Sequence, residues 1–335
     1  MEIRKVQVTG GSSYVVSLPK TWVKKLNIKK NDPLGLIIQP DGTLLITKKV
    51  DEGQEERIIN IDAENIDTPA FLFRCLIGAY IAGYTIIKIK SRGVIPPFVR
   101  AVTRKFTQAT IGQEVVEETN SSVTIKDLLN PVEMPFDKSI YRMYFIVKNM
   151  HKDAISILKN RDKTLAEDIL SRDNDVDRLH WLIARQHNIV SRDVNLSRKM
   201  GITAENAVNY FLVSRIIERI GDHAVRIAKN ILNFIDEEID GKIIDAIESA
   251  SNHALKIFDK SIESFTERDM KLANKNIDSL TKLVSLCEKI NTLALQQKGA
   301  IAISIGYIAE SIRRTGEYAS DISECMINHL ISENE

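Results

Sequence analysis

Cysteine is scarce in this 335-residue chain: Cys75, Cys287 and Cys325 lie far apart and form no C-x-x-C pair. That pattern argues against a disulfide framework or a thiol-ligated zinc site and suits a reducing compartment. No apolar core follows the opening MEIRKVQV, so no secretion signal is expected. Long hydrophobic runs are nearly absent too. The exception, Pro69 to Ile87, carries Arg74 near its start and Gly83 inside it. The expectation there is a buried helix ending near Gly83 and then a β-branched strand, TIIKIK, rather than a membrane span. A cytoplasmic protein, not an integral membrane one, is therefore expected. There is no phosphate loop, no G-x-G-x-x-G and no catalytic triad signature.

What is present is ordinary in bulk, at 44% hydrophobic and 27% charged, which is enough to build more than one core. The net charge of +1 conceals an asymmetry. Residues 1–50 hold nine Lys or Arg against Glu2, Asp32 and Asp41, a net +6, so the remainder carries −5. A basic fifty-residue module on a mildly acidic body is the electrostatic footprint of nucleic-acid binding, although lysines also simply solubilise small domains.

That module reads as short strands around one helix. RKVQVT alternates, GGSS is a turn signal and YVVSL is a second strand. Pro19 opens a helix, TWVKKLNI, in which Trp22, Val23, Leu26 and Ile28 can point inward. Asn31-Asp32-Pro33 turns the chain, and Asp41-Gly42 is a hairpin signal between LGLIIQP and TLLITKK. Fifty residues in short strands enclose little core alone, and a second copy is the simplest remedy. The run VTGGSSYVVSLPKTWVKKLNIKKNDPLGLIIQPDGTLLITKK resembles the SpoVT/AbrB swapped-hairpin family, through its L-P-K helix start, N-I-K-x-x-D and D-G hairpin. The resemblance implies an intertwined homodimer that presents basic residues to DNA. Arg4, Lys5, Lys20, Lys24 and Lys25 would then contact phosphates. Gly10, Ser12 and Ser13 would form a turn whose small residues let backbone approach the duplex. That family also includes antitoxins.

Residues 51–132 follow a polar linker, DEGQEER, and alternate strand and helix: RIINID, Thr68 to about Gly83, TIIKIKS, PPFVRAVTRKFTQ, QEVVEET and SSVTIKDL. This implies a small α/β connector domain in which a sheet packs on two helices. From 133 to 335 the strand signals stop and proline is missing after Pro135. Apolar residues at three- and four-residue spacing imply an all-α bundle with helices over 136–160, 163–191, 196–233, 237–266, 270–297 and 300–332. Asn160-Arg161-Asp162 and Glu267-Arg268-Asp269 are loops between them. Six helices make two three-helix repeats, so the whole is a multidomain α+β protein.

The repeats echo each other. SRDNDVDRLHWLI precedes ERIGDHAVRIAKNI, and LANKNIDSLTKLV precedes RRTGEYASDISECM, with Gly221 and Gly316 at matching places. Each glycine interrupts a helix at a cost of about 1 kcal/mol relative to alanine, which points to close packing or a crowded site. Glu218 and Asp222 lie one turn apart on one face, as do Asp173 and Asp177 on the preceding helix. Four facing carboxylates repel unless a cation sits between them, and such oxygen donors suit hard or borderline metal ions. His180 and His223 stand nearby in sequence. The alternative is a solvated face on which Arg172, Arg178, Arg219 and Arg226 pair with these acids.

E-R-I-G-D-H-A-x-x-I-A resembles the hallmark of PhoU proteins, in which E-x-x-x-D and D-x-x-x-D motifs hold iron or zinc clusters on a six-helix bundle. The resemblance implies metal ligation by Asp173, Asp177, Glu218 and Asp222, with Fe, Zn or another divalent cation. In the second repeat Arg313 replaces the glutamate, Glu317 keeps the second acid, and Asn274 and Asp278 replace the aspartate pair. An arginine there repels a cation and can pair with Glu317, so metal is expected at the first repeat only. The combined expectation is a non-enzymatic transcriptional regulator of phosphate uptake. It would bind DNA through a dimeric head and sense metal or a partner, such as a phosphate transporter or signalling protein, through the bundle. The alternative is a PhoU-type adaptor that dimerises and restrains such a partner without touching DNA. A di-iron enzyme is disfavoured, because Asp177-x-x-His180 is a single imperfect half of the required Glu-x-x-His pair.

Overall fold

A computed structural model describes residues 2–38, 42–48 and 56–333. The chain forms two compact units, Met1–Glu55 and Glu56–Glu335.

The first unit is a pair of hairpins around one helix. Strands β1 (Gln7–Thr9) and β2 (Ser13–Val15) pair antiparallel in register Thr9↔Ser13. Helix α1 (Lys20–Lys25) follows Pro19, and its C-terminal carbonyls at Leu26 and Asn27 accept hydrogen bonds from Lys48 Nζ at 2.8 and 3.3 Å. Asn31 takes φ +68°, and Asp32 Oδ2 accepts from Lys29 N at 2.8 Å, which makes the expected turn. Strands β3 (Gly35–Ile38) and β4 (Leu44–Thr47) form the second hairpin, with Ile38 opposite Leu44. Asp41 of the expected D-G turn lies outside the described residues, while Gly42 adopts φ +76°. The two hairpins form separate two-stranded sheets within one chain. Among the described residues of this unit, Ile37 is the one buried hydrophobic, at 7% exposure, while Tyr14 and Ile38 are 80% and 81% exposed.

The second unit starts with a four-stranded sheet of order β5-β6-β8-β7, from β5 (Ile58–Asp62), β6 (Ile86–Lys90), β7 (Gln113–Glu118) and β8 (Ser122–Asp127). β5 and β6 are parallel and the other pairs antiparallel. The parallel pair is joined through α2 (Pro69–Ile81), which starts where Thr68 Oγ1 accepts from Phe71 N and stops before Gly83 at φ +80°. Helix α3 (Pro97–Ala109) joins α2 on one face, and Leu72, Leu76, Tyr80, Val99 and Phe106 pack on Ile87, Ile89, Val123 and Ile125. The hydrophobic run at 69–87 thus supplies the core of this layer, and no described helix is long and apolar enough to cross a membrane.

The bundle comprises α4 (Phe136–Asn160), α5 (Lys163–Val190), α6 (Val194–Met200), α7 (Ala204–Leu232), α8 (Gly241–Glu267), α9 (Met270–Asp278), α10 (Leu280–Ala294) and α11 (Gly299–Ser332). The repeat is visible in its turns. Arg161 and Arg268 each end a helix in the left-handed region, at φ +55° and +58°. Asp162 and Asp269 then cap the next helix, each accepting from two backbone amides.

Three of the expected helices differ. The helix expected over 196–233 breaks because Gly201 adopts φ +63° and Thr203 caps a new start by accepting from Asn206 N. The one expected over 270–297 is interrupted at Ser279, whose carbonyl bonds to His253 Nε2 at 3.0 Å and whose hydroxyl bonds back to Lys275 O. The helix expected from 237 begins at Gly241, where Asp240 accepts from Lys242 N.

The α/β layer is locked to the bundle through α5. Arg185, 1% exposed, pairs with Asp127, donates to Tyr80 O and Tyr84 O at 2.6 and 3.0 Å, and lies over the Tyr80 ring. Trp181 packs edge-on against Phe73, with ring centroids 6.3 Å apart.

Candidate functional site

In the head, the basic and turn residues fall into two groups. Arg4 and Lys5 are exposed just before β1, and Arg4 pairs with Glu2. Gly10 and Gly11 carry positive φ in the β1–β2 turn, and a Cβ built on either meets no atom within 4 Å, so the backbone there is open to approach. Ser12 and Ser13 complete that turn, both exposed. Lys20, Lys24 and Lys25 are exposed on α1, with Lys20 and Lys24 one turn apart and the last two in the final turn. Lys48, one of the nine basic residues, is instead used to cap α1.

In the bundle, α5 presents Asp173 and Asp177 toward α7, which carries Glu218 and Asp222. A Cβ on Gly221 would sit 3.3 Å from Val147 Cγ2 on α4, a tight contact, and 3.7 Å from Asp173 Oδ1 on α5, an ordinary one. The carboxylates feel one another. Burial pushes the Asp177 carboxyl up to about 7, with added repulsion from Asp173, Glu218 and Asp222. Burial likewise raises Glu218, with Asp222 and Asp173 contributing. Asp173 is raised by burial and by Asp222, whereas Asp222 is raised by burial against the opposing charges of Arg226, Lys229 and Arg219.

None of the four acids makes an ion pair or a hydrogen bond among the described residues. The neighbouring arginines, which the solvated-face alternative assigned to them, are engaged elsewhere or unpaired. Arg172 holds Asp153 and Asp168 at 2.7 and 2.8 Å, Arg178 lies 3.7 Å from Asp175, and Arg219 lies over the Tyr318 ring. The histidines also turn away. His180 Nδ1 meets Ser214 Oγ at 3.0 Å and its ring stacks on Phe211, while His223 is buried beside Tyr318.

The second repeat closes on itself. Arg313 pairs with Glu317 and with Glu310, whose oxygens lie 2.8 and 2.9 Å from it, and Arg314 joins both acids at 3.0 and 3.1 Å. Asn274 and Asp278 are exposed. Gly316 is more tightly enclosed than Gly221, since a Cβ there would lie 2.1 Å from Leu283 Cδ2.

The first-repeat acids match a hard cation in donor chemistry: oxygen ligands, unpaired, on facing helices, with raised proton affinity. Among the described residues, no three His, Cys, Asp or Glu side chains stand arranged around one point to hold an ion. Sequence spacing could not reveal the Arg185–Asp127 lock, whose partners are far apart in the chain, or a cleft formed by four helix ends.

The fold is thus a two-repeat helical bundle with paired acids on the first repeat, preceded in the chain by an α/β layer and a small basic hairpin-helix-hairpin module. The PhoU domain model matches residues 140–231 and 247–326, just over half of the chain, and the chain belongs to that family. Residues 7–54 match the model of the antidote-toxin recognition MazE, bacterial antitoxin, family, in keeping with the AbrB-like head. The chain is 24% identical over 195 residues to the phosphate-specific transport system accessory protein PhoU homolog 1 of Thermotoga maritima, covering 56% of this chain and 82% of that protein. The crystal structure of PhoU from Pseudomonas aeruginosa superposes with a TM-score of 0.53 at 16% identity, covering 59% of this chain and 96% of that one. The phosphate transport system regulatory protein PhoU from Streptococcus pneumoniae gives 0.50 at 14% identity, over 59% and 94%. These two structures establish the likeness of fold. The Thermotoga relative is named an accessory protein and the Streptococcus protein a regulatory one.

Proposed function

We propose that this chain is a transcriptional regulator of phosphate uptake or homeostasis, in which a dimeric AbrB-like head binds DNA and the PhoU bundle senses cellular state. The observation that carries the DNA-binding part is the head itself. It exposes Arg4, Lys5, Lys20, Lys24 and Lys25 and an open glycine turn, while leaving most of its apolar side chains uncovered. Exposed cations on a module of net charge +6 supply phosphate contacts and hence affinity, and residues at the turn approach the bases for specificity. The uncovered Tyr14, Leu36 and Ile38 supply an apolar surface for the second copy. The phosphate connection rests on the family and on the accessory role named for the Thermotoga relative. The bundle's sensing element is the first repeat, where Asp173, Asp177, Glu218 and Asp222 would hold iron, zinc or another divalent cation. Such an ion would offset the charge repulsion that these acids otherwise impose.

The test is fluorescence anisotropy of full-length protein on a random-sequence duplex at low salt, beside Lys24→Glu/Lys25→Glu. Saturable binding that the double variant weakens at least about tenfold supports the DNA-binding head. A protein that leaves the duplex free at low salt overturns it. That result would favour the second reading, a dimeric PhoU-type adaptor restraining a phosphate transporter or its signalling partner. The match of the head to a family named for toxin recognition supports that reading, because the name is that of a protein-recognising family.

A further inference from the structure

A cleft of about 590 Å³ opens at the end of the bundle where the two repeats meet. The first turns of α4 and α7 build one side, and the last turns of α8 and α11 build the other. It shares no residue with the carboxylate cluster, and eight positions along α7, about 12 Å of helix, separate Tyr210 from Glu218. Its volume falls within the range of roughly 300–1,000 Å³ usual for small-molecule sites.

Three properties of the lining identify what it would hold. The first is flat apolar surface: Tyr210 packs edge-on against Phe265, with centroids 5.4 Å apart, and Tyr141 is exposed beside them. The second is charge: among the described lining residues Asp137 alone is acidic, against Lys138, Arg142 and Arg268, a net +2. Arg268 is held by Glu333, but Lys138 and Arg142 pair with no described group. The third is unused hydrogen-bonding capacity. The carboxamides of Asn206 and Asn209 have no partner among the described residues. His329, 7% exposed, contacts Glu333 through Nε2 at 3.4 Å and leaves a buried Nδ1 unsatisfied. A buried polar atom without a partner, as His329 Nδ1 is, is uncommon and costly. With the two part-exposed carboxamides lining the same cleft, it offers hydrogen-bonding groups that a ligand completes.

We propose that this cleft binds a phosphorylated heteroaromatic small molecule of nucleoside-monophosphate size. Its ring lies against Tyr141 and Tyr210, its phosphate faces Lys138 and Arg142, and its ring or sugar polar atoms meet the two asparagines and His329. A free phosphate ion would fill little of the volume and leave the rings uncovered. A lipid tail would bury the asparagines and His329 without partners. The inference is independent of both DNA binding and metal binding.

Isothermal titration of the full-length chain with AMP, GMP and UMP tests it, with adenosine and inorganic phosphate as separate probes. The expected result is saturable binding of at least one nucleotide, one per chain, with adenosine and phosphate each at least about tenfold weaker. Arg142→Glu and Asn209→Leu should each weaken binding, the first at least about tenfold, with the melting temperature unchanged because neither side chain pairs with a described residue. No saturable binding of any nucleotide at millimolar concentration overturns the proposal. So does inorganic phosphate binding as tightly as the nucleotide, or Arg142→Glu binding like the wild type.

Discussion

The head and the body of this chain solve folding in opposite ways. Among the described residues of the head one hydrophobic side chain, Ile37, is buried, while Ile3, Tyr14 and Ile38 stand in solvent. The body buries two continuous clusters, one under the sheet and one running the length of the bundle. A module that leaves its β-branched and aromatic residues uncovered has apolar surface to spare, and in the proposed reading a second copy covers it. The body needs no such completion for packing, yet one place in it is open electrostatically. The second repeat neutralises Glu310 and Glu317 with Arg313 and Arg314, whereas the first leaves four acids without an ion pair among the described residues. In both contrasts the incomplete partner is the one with a proposed ligand: a second head and DNA in one case, a cation in the other.

The largest expected effect is on the head. Ile38→Asp places a charge on its most exposed apolar side chain and should weaken self-association at least about thirtyfold, read by sedimentation equilibrium. The body's far-ultraviolet signal and melting should stay the same, and an unchanged dimer would break the contrast between the units. In the body, Gly316→Ala drives a methyl into Leu283, which is itself buried, and should cost about 1–3 kcal/mol by thermal or denaturant unfolding. Gly221→Ala makes one tight contact, with Val147 at 3.3 Å, and regains helix propensity, so its cost should be under about 1 kcal/mol. Equal losses at the two glycines would show that the repeats are packed alike.

A smaller effect sharpens the electrostatic contrast. The Asp177 carboxyl is raised to about 7 in the fold, so its protonated form is the one the fold favours. Its stability relative to Asn is therefore greatest below the ordinary carboxylate value of about 4 and is lost as pH rises through about 7. Asp177→Asn should raise stability by about 1 kcal/mol at pH 8, after discounting for the solvent screening of a partly exposed group, and by nothing at pH 4. That corresponds to roughly 2–4 °C in melting temperature. Adding a divalent cation that the site accepts should stabilise the wild type at pH 8 and leave the variant less affected. Arg313→Glu supplies the matching control, because it removes one of the two internal counter-charges of the second repeat and adds an acid. It should lower stability at pH 8 by about 1 kcal/mol and make it newly responsive to the same cation.

Much of this organisation is legible in the sequence because it rests on local chemistry. The αL-arginine and capping-aspartate turns at Arg161–Asp162 and Arg268–Asp269, the α/β alternation after residue 56 and the glycines in α7 and α11 are short-range signals. The break at Gly201 is concealed by apolar periodicity that continues through it, although glycine followed two residues later by a capping threonine is a readable stop and start. The interruption at Ser279 depends on His253, which lies on another helix, and no local pattern announces it. The Arg185–Asp127 pair, the engagement of Arg172 by Asp153 and the cleft at the repeat junction all join residues distant in the chain. The candidate acids are legible as a motif, but that the nearby arginines leave them unpaired is a property of packing.

The most direct test of the central claim is the salt dependence of duplex binding by the full-length chain. Each phosphate neutralised contributes about −0.9 to the slope of log affinity against log salt. Two heads contributing Arg4, Lys5, Lys20, Lys24 and Lys25 should give a slope of about −9, falling to about −5 in Arg4→Ala/Lys5→Ala. A slope near zero, or one that the double variant leaves unchanged, would contradict a dimeric DNA-binding head.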